Sequence, residues 1–345
     1  MEVAFILEKL ILVVIIFTVT LVIAMYSTLA ERKVAGFMQD RYGPDRAGIF
    51  GLLQPLCDGG KFFFKEEIIP AGAHKPLFIL GPVIAIITAC ISSAVIPWGQ
   101  ELVINGKAVS LQVADVNIGV LYIFGVIALG VYGIMLGGWA SNNKFSLMGA
   151  IRAASQSISY EIGMGLSLIA LLMVTGTLSV GEIVAQQSGF VNWNIWVQPL
   201  GFLVFITCAF AECNRVPFDL PECETELVGG YHTEYSSMKL GLYMFSEYIN
   251  MFVSSALMAS LYFGGYNFPF MYDLGLSQNW ITIIGVLVFF LKIFGFIFFF
   301  MWIRWTLPRF RYDQLMNLGW KVLIPLAIAN IVLTGVITLV KDTYF

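Results

Sequence analysis

The stretch WITIIGVLVFFLKIFGFIFFFMWI, residues 280–303, carries a single charge, Lys292. A helix needs about 20 apolar residues to cross a bilayer, so this stretch predicts a transmembrane helix. Seven more stretches have the same character and predict seven more spans. They are residues 7–29, 77–96, 118–138, 158–178, 197–211, 240–263 and 322–340. The pattern predicts an all-α polytopic membrane protein with about eight transmembrane helices.

The composition agrees with this fold class. The chain has 345 residues, of which 59% are hydrophobic and 12% are charged, and its mean hydropathy is +0.83. A soluble domain would carry about twice that charged fraction. We therefore expect one membrane domain over residues 1–345. The long apolar run after Glu2 and Glu8 predicts a retained helix, because a cleaved signal peptide has a basic start and a shorter apolar core.

Sequence motifs for cofactors, metals and nucleic acid are absent. The five cysteines form no CxxC pair and no zinc-type spacing, and neither a GxGxxG motif after a strand nor a P-loop lysine occurs. His232 stands in YHTE, which is not HExxH, so we expect a hydrogen-bonded structural histidine. The net charge of −3 does not indicate a nucleic-acid partner. We expect no metal and no cofactor bound by this chain.

The basic residues predict the orientation in the membrane. Among the predicted loops, the even-numbered ones carry only Lys107. The odd-numbered loops carry Arg32, Lys33, Arg41, Arg46, Lys61, Lys65, Lys75, Lys144, Arg152, Arg215, Lys239, Arg304, Arg309 and Arg311. The positive-inside rule places the odd loops in the cytoplasm and both termini outside it.

Loop one contains a second kind of helix signal. Gln54, Asp58, Lys61 and Lys65 follow one another at helical spacing and form one polar stripe, with apolar residues on both sides. This pattern predicts an amphipathic helix lying in the membrane interface. Two interpretations stay open: the helix anchors the loop in lipid, or it forms the lid or floor of a site at membrane level. In loop two, Asn105-Gly106 predicts a hairpin, and loop four is expected to hold a short surface helix.

Loop five concentrates acidic residues as few other parts of the chain do. Between residues 211 and 239 it has Glu212, Asp219, Glu222, Glu224, Glu226 and Glu234. The spacing of Asp219 and Glu222 resembles a capping box, which predicts a short helix over residues 220–228 with Glu222 and Glu226 on one face. Carboxylates crowded beside an apolar bundle have raised pKa values, because burial and like charges oppose ionisation. We therefore expect Glu212, Glu226 and Glu247 to take up and release protons.

Three ionisable residues lie within or at the edge of predicted spans, namely Glu161, Glu247 and Lys292. Each costs roughly 2.5–3.5 kcal/mol at a helix centre, so each is a functional candidate. For Glu247 the structural alternative is an ion pair, with Lys292 as one possible partner. For Glu161 the alternative is simple exposure near a cytoplasmic helix end.

Several long segments of the chain resemble those of a known protein family. They include Glu31-Arg32-Lys33, residues 48–65, GWASNNKFSLMGAIRAASQSISYE at 138–161, AECNRVPFDLPECETELVGGYHTEYSSMK at 211–239, and RWTLPRFRYDQLMNLGWK at 304–321. With these segments, which cover nearly every odd loop, the chain resembles the family of H subunits of bacterial NADH–quinone oxidoreductase. That family is the counterpart of subunit one of mitochondrial complex I.

The resemblance implies a function and a set of partners. It implies that the chain forms the membrane side of a quinone tunnel together with peripheral-arm subunits, beside other membrane-arm subunits, in a bacterial inner membrane. FMN and iron–sulfur clusters would belong to partner subunits, and quinone would be the substrate. The residues implied near the quinone path are Arg32, Gln39, Arg41, Asp58 and Glu66. Those implied in an acidic path toward proton-pumping subunits are Glu161, Glu212, Glu222, Glu224, Glu226, Glu234 and Glu247.

The sequence departs from the family at one level of this path. Some relatives carry a further carboxylate within the third span, whereas residues 127–129 here are Ile, Ala and Leu. Tyr132 or water would have to replace it. Two other functions are weighed: the membrane subunit of an energy-converting hydrogenase, and an independent proton-coupled transporter. The long loop-one match disfavours the first, and the long charged loops disfavour the second.

Overall fold

The computed structural model of the chain describes residues 2–344 apart from 105, 223, 272–274 and 276. The side chains of residues 2–5, 104, 224, 225, 342 and 344 also lie outside this description. The regular elements, in chain order, are α1 (Glu2–Met38), α2 (Gln54–Phe64), α3 (Lys75–Ile91), β1 (Glu101–Ile104), β2 (Lys107–Ser110), α4 (Gly119–Ala140), α5 (Lys144–Thr175), α6 (Val180–Gln186), α7 (Asn194–Val197), α8 (Pro199–Glu212), α9 (Glu224–Leu227), α10 (Ser237–Tyr262), α11 (Gln278–Thr306), α12 (Tyr312–Asn317) and α13 (Ile324–Tyr344). A π-helical turn, Leu318–Leu323, joins the last two helices.

The described structure confirms an all-α polytopic membrane protein. Six helical stretches are long and apolar enough to cross a membrane: Ile6–Met38, Lys75–Val95, Gly119–Ala140, Lys144–Thr175, Gln278–Thr306 and Tyr312–Lys341. Two predicted spans, α8 and α10, are helical but fall outside these six. With its 14 residues α8 is only about 21 Å long. In α10, serines and Glu247 lower the hydropathy.

Helix α10 keeps its polar residues because it occupies the centre of the bundle. It packs against α1, α2, α3 and α11, and its residues from Met251 to Tyr262 are buried. A helix surrounded by protein does not need an apolar surface toward lipid. The outer helices show the opposite pattern, since Leu287, Leu291 and Leu339 are largely exposed.

The odd-numbered loops meet on one side of the bundle. The His74 amide donates to the Ala140 carbonyl, and the Phe310 amide donates to the Pro217 carbonyl. Asn143 donates to Glu234 at 2.5 Å. We call this side the basic face, because it carries the arginines of the odd-numbered loops. The grouping agrees with the predicted topology.

The even-numbered loops meet at the other end, which we call the opposite face. There β1 and β2 pair antiparallel, with Ile104 opposite Lys107, as the predicted hairpin requires; Asn105 itself lies outside the described residues. Lys107 reaches Glu8 at 2.5 Å. The short helix expected in loop four is α6.

Three boundaries differ from the prediction on the basic face. Helix α1 continues to Met38, nine residues beyond the predicted end at 29, so Arg32 and Lys33 lie within it. Helix α5 begins at Lys144, so Arg152 and Glu161 lie well inside it, and loop three is reduced to a few residues. The N-cap is Asn143, whose side chain accepts from the Phe145 amide at 2.9 Å, and a cap of this kind starts a helix early. The last helical stretch begins at Tyr312, ten positions before the predicted start at 322.

Candidate functional site

Loop five folds into a compact layer above the bundle, and glycines decide its path. Gly230 has a φ of 62°, and a Cβ there would stand 1.7 Å from the Pro221 carbonyl oxygen. A Cβ on Gly149 of α5 would stand 2.6 Å from the Tyr231 amide nitrogen. The loop therefore lies directly on α5, with no room for a side chain at either glycine.

The predicted helix over residues 220–228 is wrong in length and in its cap. Among the described residues of this stretch, the helix covers Glu224–Leu227. The Asp219 carboxylate accepts from Arg309 at 2.7 Å instead of capping the helix. Because Glu222 precedes α9, Glu222 and Glu226 do not share a helix face. The ion pair prevails over the capping pattern because Asp219 is buried and has a cation beside it.

Four loop-five acids, Asp219, Glu222, Glu226 and Glu234, each have a polar partner. Glu226 pairs with Arg152 at 2.6 Å, and Glu234 accepts from Asn143. Oε1 of Glu222 lies 3.2 Å from Nε2 of His232. Glu224, also predicted as a site residue, has a side chain outside the description.

Charge and burial shift the pKa values of this layer in different directions. Burial, with the nearby Glu222, raises the pKa of Asp219 to about 6, despite the opposing effect of Arg309. Burial also raises the pKa of Glu222, but His232, Arg215 and Glu247 together outweigh burial, so the net shift is downward. The expectation of raised values therefore fails for Glu222.

Beneath this layer, Glu161 and Glu212 lie close enough to repel each other. Oε1 of Glu161 and Oε2 of Glu212 are buried and accept no hydrogen bond within the described part of the chain. Glu247, on α10, is 8% exposed and accepts a hydrogen bond from the Tyr231 hydroxyl at 3.2 Å. The charges of Glu222 and Arg215 also act on its carboxyl group.

A cavity of about 30 Å³ separates Glu212 from Glu247. That volume can hold one or two water molecules, which need polar partners. Glu212, Glu247 and Tyr231 form part of the wall. The remaining wall residues are Ala85, Ile127, Gly130, Val131, Ile134, Ser157, Cys213, Asn214, Ser246 and Asn250.

The cavity lies beside the third span, where this chain lacks the carboxylate that some relatives carry and where Tyr132 or water was expected to replace it. Ile127 lies in the cavity wall, whereas Tyr132 is 58% exposed on the outer surface of α4. Of the two replacements considered, Tyr132 faces away from the acids. Space for water is present where the acids converge.

A buried ion-pair cluster joins the acids to the end of α1. Arg215 is 5% exposed and donates to Glu31 at 3.1 Å. Glu31 also pairs with Arg304 and accepts from the Tyr248 hydroxyl at 3.0 Å, and the Tyr248 ring lies 4.1 Å from the guanidinium carbon of Arg215. Burial lowers the pKa of Arg215, but Tyr248, Glu31 and Glu247 outweigh burial and raise it.

Sequence reasoning did not single out Glu31 or Arg215 as site residues. Each was visible only as part of a charged run near a span end. A usable signal would have been that both charges border long apolar helices, where an unpaired charge is costly.

Four of the five residues predicted for the quinone path lie in two contacting pairs. On α2, Asp58 pairs with Arg32 at 2.7 Å and accepts from Gln54 at 3.0 Å. Arg41 donates to Gln39 at 2.7 Å, and both are exposed. Glu66 is exposed as well. The neighbouring Glu67 pairs with Lys239.

Lys292 does not pair with Glu247. Its ammonium donates to the carbonyls of Phe263, Gly265 and Asn267 at 2.6–2.8 Å and lies 4.7 Å from the Trp193 ring centre. It closes the C-terminal end of α10, where carbonyl groups lack helical partners and favour a cation. The suggested ion pair is wrong, and a structural role accounts for this charge.

Fold and site together define a class: a polytopic helical membrane protein whose basic face holds buried acids and a buried arginine cluster. The family model described as NADH dehydrogenase matches residues 10–335, and the chain belongs to this family. It is 70% identical to an H subunit of NADH-quinone oxidoreductase from Cytophaga hutchinsonii, over 96% of this chain and 97% of the relative. It is 62% identical to the H subunit of the same enzyme from Flavobacterium johnsoniae, covering 99% and 98%. An H subunit from Koribacter versatilis is 47% identical, covering 98% of each chain.

Proposed function

We propose that the chain is the H subunit of a proton-translocating NADH–quinone oxidoreductase in a bacterial inner membrane. It forms the membrane side of the quinone tunnel, with odd loops and basic face in the cytoplasm and both termini outside. It carries no redox centre of its own. FMN and iron–sulfur clusters in partner subunits deliver the electrons, and the basic face docks those subunits.

The observation that carries the coupling role is the placement of Glu212 and Glu247 around one small cavity. Charged groups continue from there toward α2. Arg215 interacts with Glu247 and pairs with Glu31. The residue after Glu31 is Arg32, which pairs with Asp58. A charge change at the quinone thus meets a series of ion pairs that ends at buried carboxylates.

The proposed mechanism is electrostatic. Reduction of quinone draws protons and shifts charge near Arg32 and Asp58. In a medium of low dielectric constant, such a change alters the protonation of nearby acids. Glu247, Glu212 and Glu161 respond as a coupled group, and the change is passed to the neighbouring membrane-arm subunits, which translocate protons.

The test is Glu212→Gln and Glu247→Gln in the assembled complex. We expect both variants to assemble and to lower NADH–quinone turnover and proton pumping by about tenfold or more, because an amide cannot take up or release the proton. The matched control is Glu182→Gln on the opposite face, where Glu182 pairs with Thr177; it should be as active as the wild type. Wild-type pumping in both acid variants would overturn the proposed coupling.

Purification in mild detergent tests the assignment to a complex. Co-purifying flavin and iron–sulfur subunits with NADH oxidation would support it. A co-purifying nickel–iron subunit would point to the hydrogenase alternative, and isolation of the chain alone with proton-coupled transport would point to a transporter.

A further inference from the structure

The Tyr231 hydroxyl stands where loop five meets the buried acids. Tyr231 is the central residue of a 3-10 turn, Gly230–His232, and is 1% exposed. Its hydroxyl donates to Oε1 of Glu247 at 3.2 Å. The next residue, His232, contacts Glu222. Two neighbouring side chains of one turn therefore touch one loop acid and one acid of the bundle.

The turn is held so that these two contacts depend on each other. Gly149 of α5 lies against its backbone, as described above. The Tyr231 ring meets the Tyr243 ring edge-on at 5.1 Å. The Tyr243 hydroxyl is fixed in turn to the Gly133 carbonyl at 2.9 Å. A turn packed this tightly shifts as one piece rather than one side chain at a time.

Tyr231 also forms part of the cavity wall between Glu212 and Glu247. A phenol hydroxyl can donate to one partner and accept from another, so it can hold Glu247 and accept from a water molecule in the cavity. The ionisable groups that face Glu247 are Glu222, Arg215, Asp219 and Tyr231 from loop five, Cys213 at the end of α8 and, across the cavity, Glu212.

We propose that Tyr231 is a positioning residue for proton coupling. Its hydroxyl holds the Glu247 carboxylate toward the cavity and links the state of the His232–Glu222 contact to that carboxylate. When Glu247 takes up a proton it no longer needs the donor, and the turn relaxes. This inference rests on the proposed function and adds to it a residue that is not itself a carboxylate.

The chain offers a matched control within the same aromatic cluster. The Tyr235 hydroxyl donates to the Phe78 carbonyl at 3.0 Å, and its ring stacks on Phe78. Tyr235→Phe removes one buried hydroxyl, as Tyr231→Phe does, but the lost bond goes to backbone rather than to a carboxylate. A merely structural role predicts similar effects for the two variants.

The experiment uses the intact complex in sealed vesicles and measures turnover, protons pumped and their dependence on pH. We expect Tyr231→Phe to lower coupled turnover about tenfold, which is the effect expected from the loss of one hydrogen bond to a charged group. The pH at which turnover of this variant is half-maximal, its pH midpoint, should rise by about one unit, because the ionised form of Glu247 loses its hydrogen-bond donor. Tyr235→Phe should keep the wild-type midpoint. Equal midpoints in both variants would overturn the inference.

Two further arms keep the outcome clear. Glu247→Gln is measured in parallel. If Glu247→Gln is impaired and Tyr231→Phe is not, the inference about Tyr231 fails and the proposed function stands. If both variants are fully active, the proposed function fails as well. If Tyr231→Phe does not assemble, a ring-fluorinated tyrosine at position 231 keeps the shape and strengthens the donor. It should move the midpoint to lower pH, and an unchanged midpoint would overturn the inference.

Discussion

For single residues, exposure to solvent decides how much an ion pair contributes to the stability of the fold. The Arg215 and Glu31 side chains are 6% and 8% exposed, whereas those of Arg32 and Asp58 are 51% and 26% exposed. Removing one partner of a buried pair costs about 3–5 kcal/mol, because the other charge is left without compensation. An exposed pair contributes about 0–1 kcal/mol. Since Glu31 pairs with both Arg215 and Arg304, we expect loss of Glu31 to destabilise the fold far more than loss of Asp58.

His232 and Glu222 make loop five sensitive to pH. Burial lowers the pKa of His232, but the contact and charge of Glu222 outweigh burial and raise it above 6.5. The stabilisation of loop five by the His232–Glu222 contact is therefore fully present below pH 6.5. It is lost as the pH rises through the raised pKa of His232. On the acid side it is lost as the pH falls through the lowered pKa of Glu222, below 4.5.

Amide hydrogen exchange of the loop-five peptides can check this. We expect the protection of residues 226–236, corrected for intrinsic exchange, to fall as the pH rises above 6.5. His232→Gln should show protection that does not change over that range. Protection that falls equally in both proteins would contradict a role for the His232–Glu222 contact.

At the scale of elements, α2 is attached to the bundle along one side only. Ser237 donates to the carbonyls of Phe62 and Lys65 at 2.9 Å, and Asp58 binds Arg32. On the other side Leu56, Phe63 and Phe64 are exposed. A helix with this pattern lies with its apolar side in the membrane interface. Its position agrees with both interpretations of loop one, the lipid anchor and the border of a site.

Asp58→Asn separates these two interpretations. The variant weakens the bonds from Arg32 and Gln54 and should change stability by no more than about 1 kcal/mol, because the pair is partly exposed. If α2 borders the quinone entrance, the apparent KM for a long-chain quinone should rise several-fold with little change in kcat. Lys61→Gln on the same helix is the control. Equal KM values in both variants would favour the lipid anchor.

At the scale of the whole molecule, the two faces differ in charge as a membrane orientation requires. The basic face holds the ion pairs of Arg32, Arg152, Arg215, Arg304 and Arg309. The opposite face holds Lys107 with Glu8. Moving the arginine-rich side across a bilayer would be strongly unfavourable, so we expect the basic face to stay in the cytoplasm.

Thiol labelling in intact cells tests this orientation. Lys107→Cys, in a chain whose exposed Cys57 is replaced by serine, should react with a membrane-impermeant maleimide added from outside. Lys144→Cys, at the start of α5, should react only after the membrane is opened. The reverse pattern of labelling would place the basic face outside the cytoplasm.

Local patterns in the sequence were enough to predict the membrane class, most spans, the two faces, the amphipathic helix of loop one and the hairpin. These features follow from local patterns of apolar and charged residues, which the bilayer selects independently of packing. The length of the loop-five helix, the start of α5 and the partner of Lys292 could not be read in this way. Each depends on a group distant in the chain or on a local cap that competes with the pattern.

Which charges meet depends on packing between distant elements. Glu31 and Arg215 are separated by most of the chain, yet folding places them in one buried cluster. Glu212 and Glu247 come to face a common cavity because α8 ends beside α10. A carboxylate's environment is set by what packs around it, and packing joins elements that no sequence spacing connects. The acids were visible in the sequence, but their partners, their burial and the Tyr231 contact required the fold.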